Sequence, residues 1–81
     1  MSVADLVRMA NDIGRFFAAE PRRADAVAAI ADHLRRFWDP RMRRQILAHV
    51  RADAQGEGEG EGKGEALSGI VREAVLALHE P

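Results

Sequence analysis

Apolar residues recur along this chain every three or four positions and nowhere alternate, so the pattern predicts helices and no strands. The first helix is expected over Val3–Ala19. Val3, Leu6, Val7, Ala10, Ile13, Gly14 and Phe17 fall on one arc at about 100° per residue, and Met9 and Phe16 widen it to about half the helix. A face that wide suits contact with two neighbours. Ser2 with Asp5 three residues on reads as an N-terminal capping box. Asp5, Arg8, Asp12 and Arg15 take the wet face.

Pro21 separates this helix from a second one expected over Pro21–Phe37. Proline disfavours helical geometry in Glu20 before it and suits a first helical turn. Ala24, Val27, Ile30, Ala31, Leu34, Phe37 and Trp38 form the buried arc, and Asp32 and Arg36 stand as an i,i+4 ion pair in the favourable order. Asp39-Pro40 then fixes a boundary. Asp39 is placed to cap a third helix over Pro40–Ala52, and Pro40 to take its first turn. Met42, Ile46, Leu47 and Val50 face the core in this reading, while Arg41, Arg44 and Arg51 share another face. Arg43 falls inside the apolar arc, where it either snorkels or pairs with an acid, because an unpaired buried charge is not tolerated.

Residues 55–65, QGEGEGEGKGE, break the periodicity. Glycine is costly in a helix and closely spaced glutamates repel one another, so this stretch reads as a flexible acidic linker. A fourth helix is expected over Ser68–His79, with Ser68 as N-cap and Leu67, Ile70, Val71, Ala74, Val75 and Leu78 on one arc. The expected architecture is all-α. A three-helix core (1–54) is followed by a linker (55–66) and a tethered C-terminal helix (67–81), which either folds back or reaches another surface.

Size sharpens this picture. A chain of 81 residues makes one domain with a marginal core, and without cysteine neither a disulfide nor a thiolate metal site can brace it. A partner chain is the remaining source of stability. The net charge of −1 hides an asymmetry: residues 1–54 carry a net +3, with ten arginines, and residues 55–81 a net −4. No apolar run reaches the roughly 20 residues of a membrane span, and the N-terminus lacks the basic region of a signal peptide. The expected location is the cytoplasm.

Catalytic chemistry finds no foothold. His33, His49 and His79 are far apart and none has a second ligand at zinc-like spacing. His33 and His49 read as partly exposed helix residues. The GEGEGEG run lacks the strand that precedes a phosphate loop, and its glutamates would repel phosphate. The two serines, Ser2 and Ser68, have no base placed beside them. The chain is therefore not expected to be an enzyme or to hold a cofactor or metal.

The informative stretch is Phe37-Trp38-Asp39-Pro40-Arg41-Met42-Arg43-Arg44. It sets aromatic anchors beside arginines, residue types enriched at protein–protein hot spots. The full aromatic set is Phe16, Phe17, Phe37 and Trp38. Either a helical hairpin packs it as core, or at least one member, Trp38 or Phe16 first, anchors a partner. Arg41, Arg44 and Arg51 are either a solvated face or a patch for carboxylates or phosphates. The candidate partner-binding residues are thus Phe16, Phe37, Trp38, Asp39, Arg41, Met42, Arg43 and Arg44. An arginine-rich third helix also raises a nucleic-acid-binding or regulatory module as the alternative, disfavoured by the negative net charge.

LVRMANDIGRFF, IADHLRRFWDPRMRRQILAHV and LSGIVREAV, in this order, resemble the small delta subunit of molybdenum-dependent, NAD-linked formate dehydrogenases. The likeness covers nearly the whole chain except the acidic linker. Met9, Ala10, Asn11, Phe16 and Phe17 match its first block. His33, Phe37, Trp38, Pro40, Arg41, Met42 and Arg43 match the second, and Leu67 and Val71 the third. Two features depart from the pattern: the Gly/Glu stretch is longer than the short glycine turn expected there, and Gly69 stands where proline would be the better first-turn residue. The resemblance implies a non-catalytic subunit or assembly factor of a cytoplasmic complex, with no membrane and no nucleic acid as partner. Its partner would be the large molybdenum-containing subunit, which carries bis-molybdopterin guanine dinucleotide and iron–sulfur clusters, with FMN and the NAD site on other subunits. The small chain would help the large one accept or retain its molybdenum cofactor. Arg41, Arg43 and Arg44 would then pair with carboxylates of that subunit.

Overall fold

The computed structural model describes residues 2–54 and 66–78. The linker expected over 55–66 lies outside this set except for Ala66, as does His79, the expected end of the fourth helix. Four helices follow one another: α1 (Val3–Phe17), α2 (Arg23–Phe37), α3 (Pro40–Ala54) and α4 (Gly69–Leu76). There is no strand among the described residues, so the all-α expectation holds.

Local chemistry sets the helix ends. The Ser2 hydroxyl accepts from the Asp5 backbone N–H at 3.2 Å, and Ser68 does the same for Val71 at 3.4 Å. Both serines are caps. Asp39 caps α3, its Oδ1 accepting from the Met42 N–H at 3.0 Å. The α1–α2 corner differs from expectation. Helix α1 stops at Phe17 and α2 starts only at Arg23, with Arg22 at the N-cap and no side-chain cap bond. Pro21 therefore belongs to the connection and not to a first helical turn. At the other end of the corner, the Glu20 N–H closes onto the Phe17 carbonyl at 3.1 Å.

The core draws on all four helices. Leu6, Val7 and Ala10 of α1 meet Ile30, Ala31 and Leu34 of α2, then Ile46, Leu47 and Val50 of α3. Leu67, Val71, Ala74, Val75 and Leu78 complete it, and α4 packs most extensively on α2, then on α3. The fourth helix is thus part of the core and not an appendage to a three-helix unit. Burying four large apolar side chains there contributes on the order of 6–12 kcal/mol as an upper bound, comparable to the whole net stability of a small domain.

Two residues of α1 shape the seam with α4. Asn11 is 6% exposed, the one buried polar residue described. Its Nδ2 donates to the Ala66 carbonyl at 2.9 Å, and its Oδ1 accepts from the Ser68 N–H at 3.0 Å. Asn11 therefore holds the strand-like approach to α4 before its first turn. At Gly14, a Cβ would lie 2.5 Å from Val71 Cγ2, well inside contact distance. Glycine lets α1 and α4 touch there. Outside the core, Arg23 pairs with Glu73 at 3.1 Å, Arg72 pairs with Asp53 at 2.7 Å, and Arg35 donates to the Ala77 carbonyl at 3.1 Å. The last contact satisfies a carbonyl at the end of α4 with a cation.

Candidate partner-binding surface

The Trp38–Arg44 segment divides into residues that build the α2–α3 corner and residues left on its surface. Trp38 is 5% exposed and belongs to the core. Its N–H closes α2 onto the Leu34 carbonyl at 3.0 Å, and its backbone then turns extended. Residues Leu34 and Trp38, four apart, take the last core positions of this side of α2. The expectation of Trp38 as an outward anchor therefore gives way to the core reading. Met42 is half-buried and packs against the same core. Asp39 is committed to its cap.

Arg43, the misfit of the apolar arc, is half-buried and reaches backbone carbonyls of the corner. Its Nη1 donates to the Arg35 carbonyl at 3.2 Å and to the Trp38 carbonyl. Those carbonyls belong to the end of α2, where the partial negative charge of the helix dipole favours a cation. Arg43 thus clamps the corner from within.

Five of the expected residues are exposed: Phe16, Phe37, Arg41 and Arg44, together with the capping Asp39. Phe16 is 77% and Phe37 70% exposed, although both lie on the apolar arcs of their helices. Ala24, also assigned to the buried arc of α2, is exposed as well. Phe37 shares the direction of Ile30 two turns further on, but the core at this end of α2 is filled by Leu34 and Trp38.

The two phenylalanines are linked by rings. Phe16 meets Phe17 edge-on at 4.9 Å between centroids, Phe17 meets His33 at 6.1 Å, and His33 lies 4.7 Å from Phe37. The result is one aromatic ladder from the end of α1 to the end of α2. Phe17 and His33 are half-buried and form its base. A shallow open depression of about 270 Å³ lies beside it, lined by Phe16, Phe17, Ala19, Glu20 and Pro21. Sequence reasoning placed His33 as a partly exposed helix residue, which is its position, but missed its role in the ladder. The signal was present: His33 and Phe37 are four apart on one helix, the spacing at which side chains meet.

Chemically, this surface offers apolar and aromatic contact. Among the described residues, no three His, Asp or Glu side chains converge to hold a metal ion. Nor is any helix among them long and apolar enough to cross a membrane. Both serines are occupied as helix caps.

A family model described as the NADH-dependent formate dehydrogenase delta subunit FdsD matches residues 5–75. No curated protein and no solved structure matches the chain.

Proposed function

Because this chain belongs to the family of NADH-dependent formate dehydrogenase delta subunits, we propose that it acts as a non-catalytic accessory subunit that docks through its aromatic ladder. The proposed partner is the large molybdenum-containing subunit of a cytoplasmic complex. Docking would support that subunit's stability or its acceptance of the molybdopterin cofactor. In this reading the cofactors, including the iron–sulfur clusters and FMN, reside on the other subunits, and this chain supplies contact surface alone.

The observation that carries the proposal is the exposure of Phe16 and Phe37 within one continuous ladder. Scattered exposed apolar residues are ordinary, but a contiguous aromatic patch marks an interaction surface. Both residues lie on arcs that the helical pattern would bury, and the core is complete without them. Aromatic anchors of this kind cost about 2 kcal/mol or more each when truncated at an interface.

The test is a double variant, Phe16→Ser with Phe37→Ser, in a tagged chain recovered from its native cytosol. The expected result is loss of the dehydrogenase from the eluate while the helical fold is kept, with a fall in molybdenum bound per large subunit in cells carrying only the variant. Undiminished recovery of the large subunit would refute the ladder as its contact. Unchanged molybdenum content despite lost binding would remove the cofactor role and leave a stabilising one.

A further inference from the structure

A second surface lies on α3, away from the core. Arg41, Arg44, Ala48 and Arg51 are all exposed and follow one another at intervals of three, four and three residues. That spacing aligns them in a single stripe along the helix, about 15 Å long. The stripe contains no acid. The one acid of α3, Asp53, is taken by Arg72 of α4.

Elsewhere most of the chain's arginines are matched from within, Arg22 at the N-cap of α2 being an exception. Within α1, Arg8 pairs with Asp5 and Arg15 with Asp12. Within α2, Arg36 pairs with Asp32, while Arg23 and Arg35 reach α4. Arg41, Arg44 and Arg51 have no such partner among the described residues. Arg41 also stands where the helix itself disfavours a cation, in the first turn of α3, which holds no acid, against the positive end of the dipole. Neither local ion pairing nor helix electrostatics accounts for them.

We infer that the Arg41–Arg44–Ala48–Arg51 stripe docks a helix of the dehydrogenase partner that carries carboxylates on successive turns. This rests on the reading that the chain is a bound subunit of that enzyme, and adds a second contact of different chemistry to the aromatic ladder. Arginine supplies a planar fork that grips a carboxylate through two hydrogen bonds, and three forks in line match acids on one facing helix. Ala48 leaves the middle of the stripe low, so a second helix can approach closely. Carboxylates are favoured over a nucleic-acid backbone by charge. A duplex presents phosphates to the whole chain, whose net charge is −1, whereas an acidic helix meets the stripe alone.

The test uses the purified dehydrogenase complex lacking this subunit, mixed with the full chain carrying Arg41→Lys, Arg44→Lys and Arg51→Lys. A carbodiimide then joins lysine amines to carboxylates in direct contact, and the amides are mapped by mass spectrometry. The expected products link positions 41, 44 and 51 to Asp or Glu on successive turns of one partner helix. Links only to this chain's own glutamates, or none, would overturn the inference. In parallel, Arg44→Glu with Arg51→Glu should weaken binding to the complex by about tenfold or more at low salt, with an unchanged unfolding midpoint. Wild-type binding that the reversal leaves intact overturns the stripe alone. Failure of the wild-type chain to bind at all overturns the subunit reading and the stripe with it. Tight, salt-sensitive binding of a short duplex DNA, lost on the same reversal, would assign the stripe to nucleic acid instead.

Discussion

Within one turn, helix α1 changes from its most constrained part to its least covered. At Asn11 and Gly14 the helix meets α4 with its polar groups matched to backbone and no space for a methyl. At Phe16 the same apolar arc runs out into solvent. The first region uses small and polar residues to close the fold on itself. The second leaves large apolar ones outside it. Burying one phenylalanine is worth about 1.5–3 kcal/mol, a large share of the stability of so small a domain. A fold that forgoes this twice, at Phe16 and Phe37, and stacks the exposed rings into a ladder leaves that stabilisation unused within the chain, and the proposed docking surface rests on this.

The largest test of this contrast removes α4. A chain ending at Ala54 loses Leu67, Val71, Val75 and Leu78 from the core, a loss on the order of the whole folding free energy. It should show no cooperative thermal unfolding by circular dichroism. A sharp transition in the fragment would mean that α1–α3 fold alone and that the Asn11–Gly14 seam is only a dock for a loose helix.

Next in size is the seam itself. Gly14→Ala forces its new methyl into Val71 Cγ2, and overpacking of this kind costs about 1–3 kcal/mol. Adding Val71→Ala should recover part of the loss, since the two changes share one space and are not additive. Denaturant melts of both singles and the double measure the coupling. Strict additivity would show that the close approach of α1 to α4 is not the source of the effect. Asn11→Ala, which abandons the Ala66 carbonyl and the Ser68 N–H, should cost about 1–3 kcal/mol by the same measurement.

The aromatic end predicts the opposite profile. Phe16→Ser with Phe37→Ser should change stability by no more than about 0.5 kcal/mol per site, while abolishing partner recovery. A loss of several kcal/mol would return both rings to a structural role and erase the contrast.

How much of this was legible from the sequence follows the same division. Periodicity located all four helices, and Ser2, Asp39 and Ser68 marked three N-termini because caps are short-range signals. Trp38 and Phe37 could not be told apart by pattern. They are adjacent on one helix end, and which of them the core takes depends on where the chain turns. Arg43 was recognised as a misfit, but its partners, the Arg35 and Trp38 carbonyls, exist only once the corner is folded. Asn11 had a readable signal that went unused. It stands between Val7 and Gly14 on the apolar arc, and a polar residue there must find a partner inside. The docking of α4 was beyond the pattern, since the Gly/Glu run says nothing of where the next helix goes.

Gly69 sharpens the seam from its other side. It opens α4 directly after Ser68, whose extended backbone (φ −67°, ψ 157°) suits a following proline. A Cβ at Gly69 would meet only the Arg23 guanidinium at an ordinary 3.7 Å. Gly69→Pro should therefore stabilise the fold by about 0.4–1 kcal/mol, where Gly14→Ala does the reverse. The two glycines differ in what faces them, and a destabilised Gly69→Pro variant would show that the start of α4 is tighter than its contacts imply.

The smallest expected effect lies at the far end of α1 and serves as a control for both regions. Asp5 is held below its ordinary carboxylate pKa, first by its side-chain hydrogen bond with Ser2 and then by the Arg8 guanidinium. A carboxylate whose pKa is depressed by folding adds stability that is complete above its unfolded value. That stability is lost as the pH falls through the folded value. At neutral pH the increment is therefore fully present, and it should disappear only below about pH 4. Because the group is on the surface, solvent screens the effect and keeps it small. Comparing wild type with Asp5→Asn in denaturant melts should give a modest difference at pH 7 that closes on acidification. Since Asp5 touches neither α4 nor the ladder, its variant should leave partner recovery intact. If Asp5→Asn instead disturbed recovery as strongly as the double phenylalanine variant, partner binding would depend on the integrity of α1 as a whole and not on the exposed rings at its end.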